Sequence, residues 1–347
     1  MGAVKPITIV GGGLAGLTLG IGLRRRGVPV TIREAGRYPR HRVCGEFISG
    51  RGQETLARLG LEALLTEAGA IPGWTVQFCS TTIAGRVRPL PQRALCLPRK
   101  QLDAILAGRF RELGGELREG ERWCDDSNRE GVVLANGRRA QPVVGGWQWF
   151  GLKAHVLNVV TQADLEMHDC RNGYVGLCRQ PGGIVNVCGL FRRKPGSGDT
   201  AGSWQDQLRG PPDSLLRGRM SNATFVADSF CATAGMNLKP QTARQQAECR
   251  IGDALTMTPP LTGNGMSMAF ESAEMAVEPL AAYSRGEIVW SNARQHIAHA
   301  CDTAFVRRLM WAKRFQQWML WPATQNALVT LASRHEGFWR LLFAKTR

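Results

Sequence analysis

The sequence predicts an α/β protein in which a parallel-sheet domain is joined to an α+β domain with an antiparallel sheet and to C-terminal helices. Two observations indicate this fold class. Residues 5–35 follow the order strand, glycine-rich turn, helix and strand, the unit from which parallel sheets are built. After residue 147 the chain consists of short strand-like segments between turns, which is typical of an antiparallel sheet.

Each element of the opening unit is indicated by its residue pattern. Residues 7–10 are Ile, Thr, Ile and Val, and β-branched residues favour a buried strand. A helix over residues 14–26 follows and ends at Gly27, a residue that readily takes the left-handed conformation of helix ends. A second strand over residues 28–33 completes the unit.

Three glycines in the first turn have the spacing GxGxxG and predict a dinucleotide site. Gly11 permits the tight turn, Gly13 lets the backbone approach a pyrophosphate, and Gly16 lets the helix pack closely on the strand. Amide hydrogens at the helix start attract phosphates. Glu34, eighteen residues after Gly16, can accept hydrogen bonds from a ribose and would repel a 2′-phosphate. The pattern therefore favours FAD or NAD over NADP.

Length and cysteine usage limit the class of protein. The chain has 347 residues, enough for one large or two medium domains. Because it has no run of about twenty apolar residues, we expect no membrane-spanning helix. Because the first strand begins near residue 7, we expect no signal peptide. Ten cysteines without a CxxC pair predict neither a metal site nor a disulfide framework, and a cytoplasmic location is expected.

The chain is strongly basic. Lys and Arg outnumber Asp and Glu by 44 to 28, which gives a net charge of +16. Such a charge attracts anionic partners, and the sequence leaves open an anionic substrate, an acidic carrier protein or an anionic membrane surface. No recognition motif for nucleic acid occurs, so nucleic acid is not an expected partner. The pattern does not indicate an oligomeric state.

The remaining elements are predicted by their periodicity. In the first half we expect helices over residues 52–59 and 99–113, and strands over 74–80, 83–87, 116–118 and 131–134, with Pro89 and Pro91 breaking the strand pattern. In the second half we expect strands over residues 152–160, 163–168, 174–178, 184–191 and 224–230, a polar linker over 194–202 and a helix over 266–283. The tail from residue 289 reads as two helices divided by Pro322.

A second anchor for the nucleotide is predicted near residue 253. Asp253 follows a short strand, and the carboxyl ends of parallel strands are where open α/β sheets bind ligands. The start of the next helix, residues 263–266, offers amide hydrogens and a positive dipole that would stabilise negative charge on a reduced flavin. Because NAD has no need of this anchor, the pair of sites favours FAD.

Four segments occur in an order that resembles a known family. They are Gly11-Gly12-Gly13-Leu14-Ala15-Gly16, Arg42-Val43-Cys44-Gly45-Glu46, Arg99 with Leu102-Asp103, and Gly252-Asp253 with Pro260-Leu261-Thr262-Gly263-Asn264-Gly265. Over residues 5–285 the chain is similar to the flavoprotein superfamily of p-hydroxybenzoate hydroxylase. Within it, the chain most resembles the branch of geranylgeranyl reductase-like enzymes, flavin monooxygenases and halogenases.

The resemblance implies a Rossmann-like FAD-binding domain and an FAD site. The implied cofactor residues are Gly11, Gly13, Leu14, Ala15, Gly16, Glu34, Ala35, Arg42, Cys44, Gly45, Arg99, Asp253, Pro260, Gly263, Asn264, Gly265 and Met266. The implied FAD-binding domain comprises residues 1–75, 99–146 and 241–286, the substrate domain a hairpin at 76–98 and residues 147–240, and the C-terminal helical region 287–347. A small-molecule substrate would lie beneath the flavin, against the antiparallel sheet.

Several roles stay open at this stage. Family members carry a Gly-Ala-Asp-Gly segment that residues 143–147 lack, so NAD(P)H is a candidate electron donor whose usual route is in doubt. Trp147-Gln148-Trp149 differs from the tryptophan motif of flavin halogenases, which disfavours halogenation. Cys44 is either a proton donor beside the flavin or a packing residue. His155 and His168 either line the substrate pocket or are structural.

The expected function is that of an FAD-dependent oxidoreductase, a monooxygenase of apolar or aromatic molecules resembling polyketides or prenyl chains. An ene-reductase of the geranylgeranyl reductase type and a non-catalytic flavin- or NAD-binding scaffold are the alternatives. The basic tail with its tryptophans lies on a membrane surface, caps the substrate tunnel or packs on the second domain, and the pattern favours packing.

Overall fold

The computed structural model describes residues 4–124, 129–138, 140–141, 143–196 and 202–346, so residues 197–201 of the predicted linker lie outside the described part. The strands are β1 (Ile7–Val10), β2 (Val30–Glu34), β3 (Phe47–Ile48), β4 (Ile71–Cys79), β5 (Arg88–Cys96), β6 (Glu116–Glu119), β7 (Val132–Leu134), β8 (Gln148–Leu157), β9 (Leu165–Cys170), β10 (Gly173–Arg179), β11 (Val185–Arg193), β12 (Thr224–Phe225), β13 (Cys231–Ala234) and β14 (Cys249–Arg250). The helices are α1 (Leu14–Arg24), α2 (Arg51–Arg58), α3 (Glu62–Glu67), α4 (Arg99–Glu112), α5 (Trp204–Arg209), α6 (Leu215–Arg219), α7 (Gly265–Ser284), α8 (Trp290–Met319), α9 (Pro322–Arg334) and α10 (Glu336–Thr346).

A five-stranded sheet with the order β14-β7-β1-β2-β6 is parallel throughout, which confirms the predicted Rossmann-like domain. Ile9 pairs with Ile32 on one side and with Val133 on the other, and all three side chains are fully buried. Helix α1 is buried from Leu14 to Leu23 because it packs between this sheet and the neighbouring helices. A strand buried on both faces needs a continuous apolar sequence, which residues 7–10 supply.

The second sheet has the order β12-β8-β11-β10-β9-β4-β5-β3, with β13 also paired to β8. Its neighbours are antiparallel except for β4 and β9, which are parallel. The predicted antiparallel sheet after residue 147 is confirmed in strands β8 to β11, and the parallel junction of β4 with β9 makes the complete sheet mixed. A parallel pair of strands needs a long crossover connection. The chain between β4 and β9 supplies one, because it passes through β6 and β7 of the parallel sheet. The predicted domain boundaries themselves stay a prediction.

Two strands differ from the sequence pattern. The strand expected at residues 83–87 lies later, at β5, and contains both Pro89 and Pro91. The register of β4 against β5 shifts between Gly73 and Thr75, which places Pro91 in a bulge, where a proline is tolerated, while Pro89 pairs with Thr75. Of the strand expected at residues 224–230, only β12 forms, because a turn in which Asp228 has a φ of 58° follows it; β13 begins after the expected strand, at Cys231.

The tail forms three helices instead of the predicted two, because a further break occurs at His335 between α9 and α10. Helix α8 packs on α7 through a buried ion pair. Arg308 donates to both carboxylate oxygens of Glu271 at 2.7 and 3.0 Å, and both residues are more than nine-tenths buried. Among the described residues, no helix has the length and apolar character needed to cross a membrane.

The Arg308–Glu271 pair gives a test of how the tail is attached. We expect Glu271→Ala to lower the free energy of unfolding by about 3–5 kcal/mol, because it leaves the Arg308 guanidinium buried without its partner. Urea unfolding followed by circular dichroism measures this. The matched control is Glu287→Ala, which breaks the exposed Arg285–Glu287 pair and should leave stability unchanged. Equal effects of the two substitutions would contradict the assignment.

Candidate functional site

A cavity of about 790 Å³ is lined by residues from both sheets and from the tail. Every strand of the parallel sheet contributes a lining residue at its carboxyl end: Gly11 after β1, Glu34 of β2, Glu121 after β6, Asn136 after β7 and Asp253 after β14. Open α/β sheets bind their ligands at this edge. The cavity therefore begins where the sequence places a nucleotide.

The three motif glycines have different surroundings. Gly11 has a φ of +104°, and a Cβ there would lie 2.5 Å from the Ala135 carbonyl oxygen. A Cβ on Gly16 would lie 2.0 Å from the Gly11 carbonyl oxygen, so Gly16 allows α1 to approach β1. A Cβ on Gly13 would meet no atom within 4 Å, because Gly13 faces the cavity. No side chain caps α1, which leaves its first amide hydrogens for an anionic ligand.

Glu34 is buried at the end of β2 and fixed by its neighbours. Its carboxylate accepts hydrogen bonds from the Gly12 N–H at 2.8 Å and the Gly36 N–H at 2.7 Å. Arg40 Nη2 lies 2.5 Å away and Arg42 Nη2 lies 3.6 Å away. Burial raises the pKa of Glu34, but the Gly36 hydrogen bond and the two arginines hold it below its ordinary value. An ionised, oriented carboxylate thus lines the cavity.

Arginines surround this end of the cavity. Arg99 donates to both carboxylate oxygens of the fully buried Asp103, at 2.8 and 3.0 Å, and Arg42 Nε donates to one of them at 3.2 Å. Arg42 and Arg99 both line the cavity. The other lining arginines are Arg33, Arg40, Arg122 and Arg138. A concentration of guanidinium groups suits an anionic diphosphate.

The second anchor lies opposite the first turn. Asp253 belongs to a 3₁₀ turn, Gly252–Ala254, that follows β14. Burial raises the pKa of Asp253, and the charges of Arg138 and Arg99 act against that increase. The approach to the 20-residue helix α7 supplies the adjacent wall, and a helix start presents a positive dipole to a ligand. The wall consists of Pro260, Leu261, Thr262, Gly263, Gly265 and Met266.

A buried polar network that the sequence did not reveal holds residues 41–46, which belong to the connection between β2 and β3. Glu46 is fully buried, with one carboxylate oxygen 2.7 Å from His155 Nε2 and the other 3.2 Å from Lys153 Nζ. It also accepts the Arg99 backbone N–H at 2.9 Å, and Lys153 Nζ lies 3.0 Å from His41 Nδ1. Burial raises the pKa of Glu46, but the hydrogen bond from His155 and the charge of Lys153 hold it below its ordinary value.

The same network brings potential metal ligands together, although the sequence predicts no metal site. Ligand atoms of His41, Glu46 and His155 lie within 4.8 Å of one another. However, the Lys153 ammonium already lies 3.0 Å from His41 and 3.2 Å from Glu46. Burial and the charge of Lys153 lower the pKa of His41 to about 4. Because a cationic side chain already neutralises the carboxylate, the arrangement fits an anchor for residues 41–46 on β8 better than a metal centre.

Most predicted cofactor residues meet at the cavity. Those that line it are Gly11, Gly13, Leu14, Ala15, Glu34, Ala35, Arg42, Cys44, Gly45, Arg99, Asp253, Pro260, Gly263, Gly265 and Met266. Gly16 is not among the lining residues because it packs beneath the turn, and Asn264 is buried just before α7. The binding role of each residue stays a prediction.

The other predicted site residues have different positions. Neither His155 nor His168 lines the 790 Å³ cavity. Each is hydrogen-bonded to a buried carboxylate: His155 to Glu46, and His168 to Glu166 at 2.8 Å. His168 instead lines a separate cavity of about 610 Å³. Cys44 does line the main cavity, and its Sγ accepts the Glu46 N–H at 3.4 Å. Burial raises the pKa of the Cys44 thiol, which keeps it protonated.

The far end of the cavity is an apolar chamber that the sequence only partly indicated. Its walls are the second sheet, with Phe78, Met167 and Leu190, and the tail, with Phe315 on α8 and Trp339 on α10. The tail therefore packs on the second domain, as the sequence favoured, and also closes the chamber. No periodicity signal distinguishes a residue that lines a cavity from one that packs in a core.

Comparison with known proteins identifies the first half of the site. Residues 5–141 match a family model described as an FAD binding domain. The open Gly13 cradle, the arginines and the oriented Glu34 carboxylate fit the diphosphate and ribose of this cofactor. The chain is therefore a flavoprotein, and the predicted FAD cofactor is confirmed. The match covers residues 5–141, the segment that contains the glycine motif, Glu34, Arg42 and Arg99.

Solved structures extend the likeness to the whole chain. p-Nitrophenol 4-monooxygenase PnpA from Pseudomonas putida aligns with a TM-score of 0.75 at 14% identity, over 99% of this chain and 98% of its own. The flavin-dependent brominase Bmp2 aligns at 0.72 and 16%, over 97% and 92%. PqsL from Pseudomonas aeruginosa, described as a probable FAD-dependent monooxygenase, aligns at 0.68 and 15%, over 94% and 99%. At identities this low, the structural alignments show a common fold and no more. No curated protein sequence matches the chain.

The glycine surroundings give a test that separates binding from folding. We expect Gly13→Ala to leave thermal stability unchanged but to raise the Kd for FAD about tenfold or more, because the methyl group enters the cavity. Gly16→Ala should instead lower the free energy of unfolding by about 1–3 kcal/mol through overpacking. Flavin titration by fluorescence and thermal unfolding measure the two effects. Unchanged FAD affinity in Gly13→Ala would contradict the assignment.

Asp169 on β9 gives a pH-dependent prediction. It is buried beside Tyr174, and within the described residues neither carboxylate oxygen has a hydrogen-bond partner. Burial raises its pKa to about 7 from 3.8. The folded chain thus binds the proton more tightly than the unfolded chain, so this group costs stability as the pH rises from about 4 through 7.

Asp169→Asn removes this cost. Relative to the wild type, we expect the variant to gain stability between about pH 4 and pH 8, by about 4 kcal/mol at most. Urea unfolding of both proteins at the two pH values measures the difference, and other groups cancel in the comparison. A difference that does not change with pH would contradict the burial of an unpartnered carboxyl.

Proposed function

We propose that this chain is an FAD-dependent monooxygenase that transfers one oxygen atom of O₂ to an uncharged apolar or aromatic small molecule. The observation that carries the proposal is the continuity of the cavity, which runs from the arginine-rich edge of the parallel sheet to an apolar chamber under the tail. A cytoplasmic location belongs to the same proposal, and the ten free cysteines support it.

The residues at the polar end would bind and orient the cofactor. FAD, when bound, supplies the electron transfer and the reaction with oxygen. Gly13 and the start of α1 would hold the diphosphate, and Glu34 would accept hydrogen bonds from the ribose. The approach to α7 would border the reactive end of the flavin, where a positive dipole stabilises negative charge. Glu46 and Lys153 would act as positioning residues, since they fix the segment that separates the two ends of the cavity.

The apolar chamber defines the substrate class. The described residues that line the cavity from the second sheet and from the tail are all uncharged. An ionised substrate would lose its hydration there without gaining a counter-ion, so a neutral molecule is favoured over an anionic one. The hydroxyl groups of Tyr174, Thr233 and Thr346 are among the described polar groups of these walls that could orient it. Walls of this kind also exclude water from the reacting atoms.

The cavity gives no support to halogenation, although a brominase shares the fold. The described lining residues include no lysine, and the nearby Lys153 is engaged by Glu46 and His41. The ene-reductase and the non-catalytic scaffold are outcomes of the same experiment.

The experiment uses FAD-loaded protein reduced by dithionite under nitrogen and then mixed with ¹⁸O₂ and a panel of neutral phenols and polyketide-like aromatics. We expect a product heavier by one ¹⁸O atom, detected by mass spectrometry. Gly13→Glu, which places a carboxylate at the diphosphate position, is the control and should neither bind FAD nor form product. A brominated product in bromide buffer, substrate reduction under nitrogen, or bound flavin that forms no product would each overturn the proposal.

A further inference from the structure

The outer face of the second half of α8 is unlike an ordinary protein surface. Arg307, Met310, Arg314 and Trp318 follow one another at intervals of three or four residues and so share one face of the helix, and Trp321 lies two residues past its end, just before α9. Met310 is 48% exposed, Trp318 39% and Trp321 64%. Large apolar side chains grouped in this way mark an interaction surface. We call these five residues the α8 outer face.

This face is also basic. Two of its five residues are arginines, and from residue 307 to the last residue the chain has only one acidic residue, Glu336, which pairs with Arg340. Within the described part of the chain, Arg307 and Arg314 form no ion pair, and the guanidinium of Arg314 lies 5.8 Å from the centre of the Trp311 ring. Their charges are therefore available to an anionic partner.

The α8 outer face lies directly behind the substrate chamber. Phe315, the residue next to Arg314, is buried and lines the chamber, while Arg314 and Trp318 are exposed on the outside. Helix α10 contacts α8 and adds Trp339 and Leu342 to the same wall. A partner bound to the outer face would thus lie one helix thickness from the chamber.

We propose that the α8 outer face docks on an anionic lipid bilayer. Tryptophan rings favour the headgroup level of a membrane, and arginines beside them can bind lipid phosphates. Exposed aromatic and basic side chains together match an anionic bilayer better than an acidic protein. The bilayer offers an apolar region in which two tryptophan rings can be buried, and a polar protein surface does not. No described helix can span the bilayer, so the contact is peripheral. Apolar molecules dissolved in the lipid would then be close to the chamber, a consequence that rests on the proposed function.

Vesicle flotation with the full-length, FAD-loaded protein tests the docking. The vesicles contain phosphatidylcholine alone or with about 30% phosphatidylglycerol. We expect binding to the anionic vesicles that weakens as salt is added. Each arginine contributes roughly a fivefold factor, so Arg307→Gln with Arg314→Gln should weaken binding about twenty-fivefold. Trp318→Ser with Trp321→Ser should weaken it about tenfold or more, through lost burial in the interface.

Trp74→Ser is the matched control, because Trp74 is 55% exposed on β4 and is not part of the α8 outer face. It should bind vesicles like the wild type. FAD content and thermal unfolding of each variant exclude misfolding and keep this result separate from that of the oxygenation experiment. Failure of the wild type to bind anionic vesicles would overturn the proposal, even if it bound an acidic protein. So would equal loss in the tail variants and in Trp74→Ser.

Discussion

The contact of Glu46 with Lys153 and His155 is the constraint on which the site depends. A fully buried carboxylate is costly unless it is paired, and here the ammonium of a lysine in the middle of β8 lies beside it and a histidine two residues later hydrogen-bonds to it. The same carboxylate accepts the first backbone N–H of α4. One side chain thus joins a connecting segment, a helix of the nucleotide-binding half and a strand of the second sheet.

The position of Cys44 and Gly45 follows from this contact. Asn186 on β11 donates to the Cys44 carbonyl oxygen at 3.0 Å, and Gln180 donates to the Glu46 carbonyl oxygen at 3.2 Å. The backbone of this segment is therefore held against the second sheet by both its own carbonyl groups and the Glu46 side chain. A wall held in this way is organised before any ligand binds, which lowers the ordering cost of binding.

The fold class, and which residues meet at the polar end of the cavity, could be predicted from the sequence for identifiable reasons. Short-range rules of backbone conformation act on Gly11 and Gly16, and the acid at Glu34 lies at a fixed distance along the chain. The Lys153 partnership with Glu46 has no such signature, because 107 residues separate the two and only the tertiary fold brings them together. The sequence did not predict that β5 contains Pro89 and Pro91, because the rule that prolines interrupt strands assumes a regular ladder of hydrogen bonds. The position of Phe315 in a cavity wall was hidden because a lining residue and a core residue have the same helical spacing.

The path of the chain between the sheets has a consequence for folding. The segment that matches the FAD-binding model ends at residue 141, yet β14 completes the parallel sheet and α7 covers α1 from far beyond it. During synthesis, α7 can cover α1 only after more than a hundred residues beyond residue 141 have been added to the chain. Residues 5–141 alone therefore lack both β14 and the helix that packs on α1, and part of the α1 surface stays exposed until α7 has left the ribosome.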